Sequence, residues 1–508
     1  MALTSLEFFA FFALLLLLYH CVPQKAKNPV LIVANLVFCY LAGGVRTLAF
    51  LSFTTCCTYV GALMIERTES VKKKRAVLIV VIAANLAVLL FTKYLGFFLH
   101  IGNAVSHLAG NTQADLQFSI AAPLGVSFYT LQMIGYLADV YMEKIKAEHS
   151  PVSYIVFATF FPQITSGPIS RYAELEPEIS RTKKFDYKEF TFGLQRMGWG
   201  LFKKLVISER LAVLVNTIYA DYETYSGFYI AAATVFFAFE LYTDFSGYMD
   251  IALGAAQCLG IKLPENFTVP FFSRSISEYW RKWHITLGTW CKDYLFYPIL
   301  KSDAFVKLGK WGKKKFGKKK GKNIPVRLGL IILWFTVGFW HGGSWKYIIG
   351  SGLLHCFYII GGQILEPVSA KIVKLFKIDV ECFSFRLFQC LRTFFLVCFG
   401  FLFFRAESFK TALLMIPYLF SGNMQVFTEE GMLALGLDLM DLRVLFFGLV
   451  LLLLVSVFQT QRGSVREWIA KQNLVFRWAV YLSLLFAVLL FGMYGPGFVA
   501  NQFIYQNF

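Results

Sequence analysis

The chain has 508 residues, 57% of them hydrophobic and only 16% charged, with a mean hydropathy of +0.58. A soluble protein carries about 25% charged residues, so this composition excludes a water-coated globule and indicates a protein immersed in a bilayer. The formal net charge of +18 does not indicate nucleic acid, because Lys and Arg gather between apolar runs, as cytoplasmic loops require.

A spanning helix needs about 20 mostly apolar residues. On that criterion the sequence predicts spans over 5–22, 29–45, 48–65, 76–99, 117–140, 228–258, 328–362 (interrupted), 387–404, 443–459 and 476–494. Less clean segments at 152–166, 190–220 and 410–421 suit short, re-entrant or interfacial helices, giving about 11 membrane segments. The first run lacks a basic leader and a small-residue cleavage site, and Glu7 lies at its start. It reads as a span and not as a cleaved signal peptide. Lys72–Arg75, the 143–150 loop and the Lys-rich 301–327 segment belong in the cytoplasm, whereas 103–116 has no Lys or Arg. The 301–327 segment, containing KKKFGKKKGK, reads as a mobile loop near anionic headgroups. The expected fold is all-α and polytopic, a single membrane-embedded domain over 1–508 with that basic cytoplasmic loop.

The ten Cys show no CxxC spacing, so neither zinc nor a redox pair is indicated. Nor is there a G-x-S-x-G elbow, a P-loop or an H-E-x-x-H pair, which weakens serine hydrolase, ATPase and metalloprotease readings.

Ionisable groups inside a span cost at least a few kcal/mol each, and three places break the rule. In FELYTDFSGYMD, Glu240, Asp244 and Asp250 share a helical arc of about 120°, with Ser246 on or near it. This is either an inward face or a helix end at the interface. In Ser273–Pro298, Trp280, Trp283, Trp290, Tyr294 and Tyr297 alternate with Arg281, Lys282, Lys292 and Asp293 around His284. Such a mixture belongs at headgroup level, here on the cytoplasmic side. From Leu328 to His341, 14 residues give about 21 Å of helix, short of the ~30 Å core, before Gly342-Gly343 interrupts. His341 is thus either a satisfied core histidine or a base at membrane depth, able to take the proton of an attacking alcohol. His355 is too far along a continuous helix to share a metal with it and reads as packing.

These residues also fall into ordered motifs: PLGVSFYTLQMIGYLADVY, FFPQITSGPISRY, YTDFSGYMDIALG, NFTVPFFSRSISEYWRKWHITLGTWCKDYLFYP, GFWHGGSWKYIIGSGLLH, FLFFRAESF and the terminal FIYQNF. Together they resemble the membrane-bound O-acyltransferase family over nearly the whole chain. The likeness is strongest to the bacterial branch that O-acetylates alginate and other exported polysaccharides, with the teichoic acid D-alanyl transferase as a relative.

The resemblance implies a ring of membrane helices around a thinned centre in a bacterial plasma membrane. It implies His341, the histidine of the W-H-G motif, as catalytic and His284 as a second important position. Trp283 and Trp340 would line the path or simply pack. No bound cofactor is implied. The acyl donor would be cytosolic, acetyl-CoA or an acyl-carrier thioester, and the acceptor a polysaccharide or a partner transferase outside. D-alanyl transfer from a carrier, or a transporter or flippase without covalent chemistry, are the competing expectations. The long 301–327 insertion leaves cytoplasmic partner docking open.

Overall fold

A computed structural model describes residues 1–109, 116, 122–182 and 184–495. Every long element among them is a helix. Eight helices are long and apolar enough to cross a membrane by length and composition. One of these, Gln24–Arg67, is a 44-residue stretch broken at Gly44 (φ +67°), so the two spans expected at 29–45 and 48–65 follow one another with no loop. The expected span at 117–140 is described only from 122, with its helix over Val126–Tyr141, and the terminal FIYQNF lies outside the described residues.

The burial pattern inverts that of a soluble protein. Phe446, Phe447, Leu453, Leu454 and Leu490 are exposed, whereas Lys203, Lys204, Glu209, Asp244 and Glu240 are buried. In the Leu474–Phe491 helix only 6% of the apolar window is buried within the protein. Hydrocarbon must cover such a helix, because lipid is as apolar as the side chains it meets.

The chain forms two compact units. The first comprises Met1–Leu201 and Gly247–Glu265. Its centre is aromatic: Phe8 stacks on Phe12 and meets Phe38 and Phe161 at 6.2 and 6.3 Å. The short helices Pro151–Thr159 and Phe161–Ile164 are tied to the long helix by Asn35, which donates to Thr159 Oγ1 at 3.2 Å and accepts from the Phe161 N–H at 3.1 Å. One amide thereby satisfies two buried polar groups that hydrocarbon could not.

The second unit comprises Phe202–Ser246 and the described residues from Asn266 onward. It holds both histidines singled out above. One of its apolar clusters is formed by Ile230, Leu402, Phe403, Ala406, Ala412 and Met415.

The 301–327 segment is not a mobile loop. It forms a helix over Asp303–Gly321, bent at Gly317, followed at once by the Asn323–Trp340 helix. Lys ranks among the better helix formers, and Ala304, Leu308 and Trp311 recur at helical spacing, a pattern that the run of lysines and glycines after them obscures.

Candidate functional site

His284 sits between two seven-residue helices, Ile276–Lys282 and Ile285–Cys291. The first is begun by Ser275, whose hydroxyl accepts from the Glu278 N–H at 3.2 Å, while Glu278 Oε2 accepts from the Arg274 N–H at 2.8 Å. This is a capping box shifted by one residue, since Glu278 reaches back to the residue before the cap. The chain then turns sharply: His284 has φ +46° and ψ +53°. Left-handed backbone costs a residue with a Cβ roughly 1–2 kcal/mol, so something must hold it. That something is the strand-like passage through Asn266. Ile285 N–H donates to the Asn266 carbonyl at 2.9 Å, and Thr268 N–H to the Lys282 carbonyl at 3.1 Å.

The same Asn266 fixes the imidazole. Its Oδ1 accepts from the Thr286 N–H at 3.1 Å and the Thr286 hydroxyl at 2.8 Å. A backbone N–H can only donate, so the amide atom there is oxygen. His284 Nδ1, 3.1 Å from that oxygen, is therefore the protonated nitrogen, and Nε2 is the one that can accept a proton. The Phe245 ring meets the imidazole edge-to-face at 4.9 Å.

His341 ends the Asn323–Trp340 helix. That helix has 18 residues, about 27 Å, so it starts five residues before the point expected from sequence and nearly spans a bilayer core. The interruption after it is also a reversal. A Cβ on Gly338 would lie 2.8 Å from Ile348 Cα, and one on Gly352 would lie 2.5 Å from the Trp334 carbonyl oxygen. Both contacts are centred on Gly343, so the helix after the break runs back along the one before it, backbone against backbone. The turn needs Gly342 (φ +145°) and Gly343 (φ +59°), conformations open to glycine. The expected interrupted span at 328–362 is thus a helical hairpin with His341 at its tip.

Trp340 lies beside both histidines, with ring centroids 6.1 Å from His284 and 5.0 Å from His341. His341 is close enough to act electrostatically on His284. Phe404, from the FFRAES motif, meets the His341 ring at 5.6 Å. Both imidazoles are buried, at 3% and 5% exposure. The Trp- and Lys-rich segment is therefore two-sided: Arg281 and Lys292 are exposed, but Trp283, His284 and Cys291 face inward. Trp283 is packed among Phe267, Tyr279 and Phe401. His355 is buried against Trp280 and Trp334.

The acids at 240–250 divide. Asp244 and Glu209 both pair with Lys204, at 2.7 and 2.8 Å, out of reach of solvent. Glu240 is buried nearby, within electrostatic reach of Arg405. Asp250 lies nearer the surface and pairs with Arg196 at 2.8 Å, as does Glu265. Asp244 and Glu240 thus lie on an inward face, whereas Asp250, though less buried, lies within the Phe228–Cys258 helix and not at its end.

The sequence reading missed Lys203, Lys204 and Asn266. The lysines sit in a wide π-helical stretch, Phe202–Ser208, a geometry frequent at functional sites. Two adjacent lysines inside an apolar segment are the signal that could have found them. Among the described residues, no three His, Cys, Asp or Glu are grouped to hold a metal ion.

Comparison with known proteins covers both histidines. The membrane-bound O-acyltransferase family profile matches residues 143–405. The peptidoglycan O-acetyltransferase of Helicobacter pylori is 30% identical over 446 residues, covering 81% of this chain and 78% of that protein. The probable alginate O-acetylase of Azotobacter vinelandii is 30% identical over 419 residues, 81% and 76% respectively. The teichoic acid D-alanyltransferase of Bacillus subtilis is 27% identical over 297 residues, 56% and 69%.

Proposed function

Because the chain belongs to the membrane-bound O-acyltransferase family and is thus a multi-pass membrane acyltransferase, we propose that it moves an acetyl group from a cytosolic thioester, acetyl-CoA or an acyl carrier, to a hydroxyl outside a bacterial plasma membrane. The acceptor is an exported or surface polysaccharide, or a partner transferase that passes the group on to one. The single observation that carries this reading is the pair of buried imidazoles flanking Trp340, one of them with its tautomer fixed by Asn266.

In the reaction the acceptor oxygen attacks the acyl carbon as His341 takes its proton. The C–S bond then breaks, and the imidazolium returns the proton to the departing thiolate. A general base in this role contributes about 10²–10⁴-fold. His284 positions the donor from the cytoplasmic segment. A second assignment has a specific observation in its favour: Asn266 leaves His284 Nε2 as the proton acceptor, and in that assignment His284 exchanges roles with His341 as base.

The test is the acetate content of the exported polymer in cells carrying H341A or H284N at wild-type protein levels. Loss in H341A of at least about 10²-fold supports its role as base. Loss only in H284N transfers that role to His284. Unchanged acetylation in both overturns the reading, and D-alanine in place of acetate on the polymer moves the enzyme to the D-alanyl class.

A further inference from the structure

The buried lysines have no place in the chemistry above, yet they bracket one residue that touches it. Lys203 Nζ donates to Ser246 Oγ at 2.7 Å, and Lys204 Nζ pairs with Asp244 Oδ1 at 2.7 Å. Asp244 and Ser246 are the two neighbours of Phe245. Phe245 in turn stands edge-to-face against His284 at 4.9 Å and 89°, and against Phe267 at 5.0 Å and 82°. Phe267 adjoins Asn266, which holds the other edge of the same imidazole.

We infer that Lys203 and Lys204 are positioning residues that clamp the helical turn at Asp244–Ser246, within the Phe228–Cys258 helix, so that Phe245 fixes the His284 ring. This rests on the reading of His284 as part of the site. An aromatic edge-to-face contact is directional, and a buried charge-assisted hydrogen bond is short and specific. A small rotation of this turn would therefore be felt at the imidazole, and misplacing a catalytic geometry by about 1 Å costs on the order of 10²-fold.

Lys204 is a poor probe, since its removal takes a shared cation from two buried carboxylates. Lys203 is the more direct one, because its ammonium donates to Ser246 beside Phe245 and lies over the Tyr242 ring at 5.7 Å. In full-length enzyme reconstituted with acetyl-CoA, or expressed in cells with polymer acetate as the readout, K203M and F245L are each expected to lower turnover by about 10- to 100-fold. Their protein levels and unfolding temperatures should stay near wild type. Two measurements separate positioning from general support of the fold. The pH of half-maximal activity should move in both variants. In an H284N background, neither substitution should lower the residual activity further, because both act through the ring already removed.

An unmoved pH midpoint with fully additive losses would sink the inference, as would wild-type activity in K203M. Full activity in H284N itself would instead be the failure of the underlying assignment, and is read from that variant alone.

Discussion

Asp244 and Asp250 stand six residues apart on one helix and carry the same charge, yet they live in different media. Asp244 has 1% of its side chain exposed and shares Lys204 with Glu209. Asp250 has 16% exposed and shares Arg196 with Glu265, which is itself 55% exposed. A third pair, Glu278 with Lys282 in the Ile276–Lys282 helix, is 27% and 28% exposed. The same carboxylate–cation motif thus appears at three depths. Coulomb attraction strengthens as the surroundings dry, but so does the cost of desolvation. A deep pair is therefore not worth more than a shallow one. It is more expensive to break, because the partner left behind has no water to turn to.

That ordering can be broken by experiment. The largest effect is expected for K204M, which leaves Asp244 and Glu209 without their shared cation. The loss should be roughly 3–5 kcal/mol, seen as a collapse of folded protein in detergent extracts. R196M should cost about 1–3 kcal/mol, since Glu265 can turn to water, and the variant should still accumulate. Equal losses in the two would mean that depth does not set the penalty.

E278Q should cost only roughly 0.2–1 kcal/mol. Burial by itself would raise the Glu278 pKa, but the Lys282 ammonium and the Arg274 N–H outweigh it and hold the carboxyl below its ordinary value. A group depressed in the folded state stabilises above the unfolded carboxylate pKa, about 4.3, and loses that contribution as pH falls through the folded value. The wild-type advantage over E278Q in thermal unfolding should therefore be complete at neutral pH, begin to fall near the unfolded value of about 4.3, and be gone only in acid below the still lower folded value. An advantage that persists there would remove the ion pair as its cause.

The spans were legible because lipid-facing helices are apolar nearly all round, and a hydropathy window reads that directly. Leu439–Arg462 and Leu474–Phe491 were found to within a few residues. Direction was not legible. A run of apolar residues has the same period whether the chain continues or doubles back, so the hairpin at Gly343 became visible only through the contacts of Gly338 and Gly352. Partners were not legible either: Lys203 lies 43 residues from Ser246, and no local pattern joins them. His341 and His284 stand out because each breaks the expectation for its surroundings, but the amide that orders His284 is 18 residues upstream, where no local pattern marks an asparagine as its partner.

The left-handed backbone at His284 narrows what may ever occupy that position. Gly, Asn and Asp are at ease there and His is itself enriched at positive φ, but of these only His offers a ring nitrogen able to accept a proton. Alanine scanning would misjudge the site, because Ala removes the ring and meets the backbone penalty together, whereas Asn removes the ring alone. The backbone at this position thus filters the substitutions by which the ring can be tested, and H284N is the informative one.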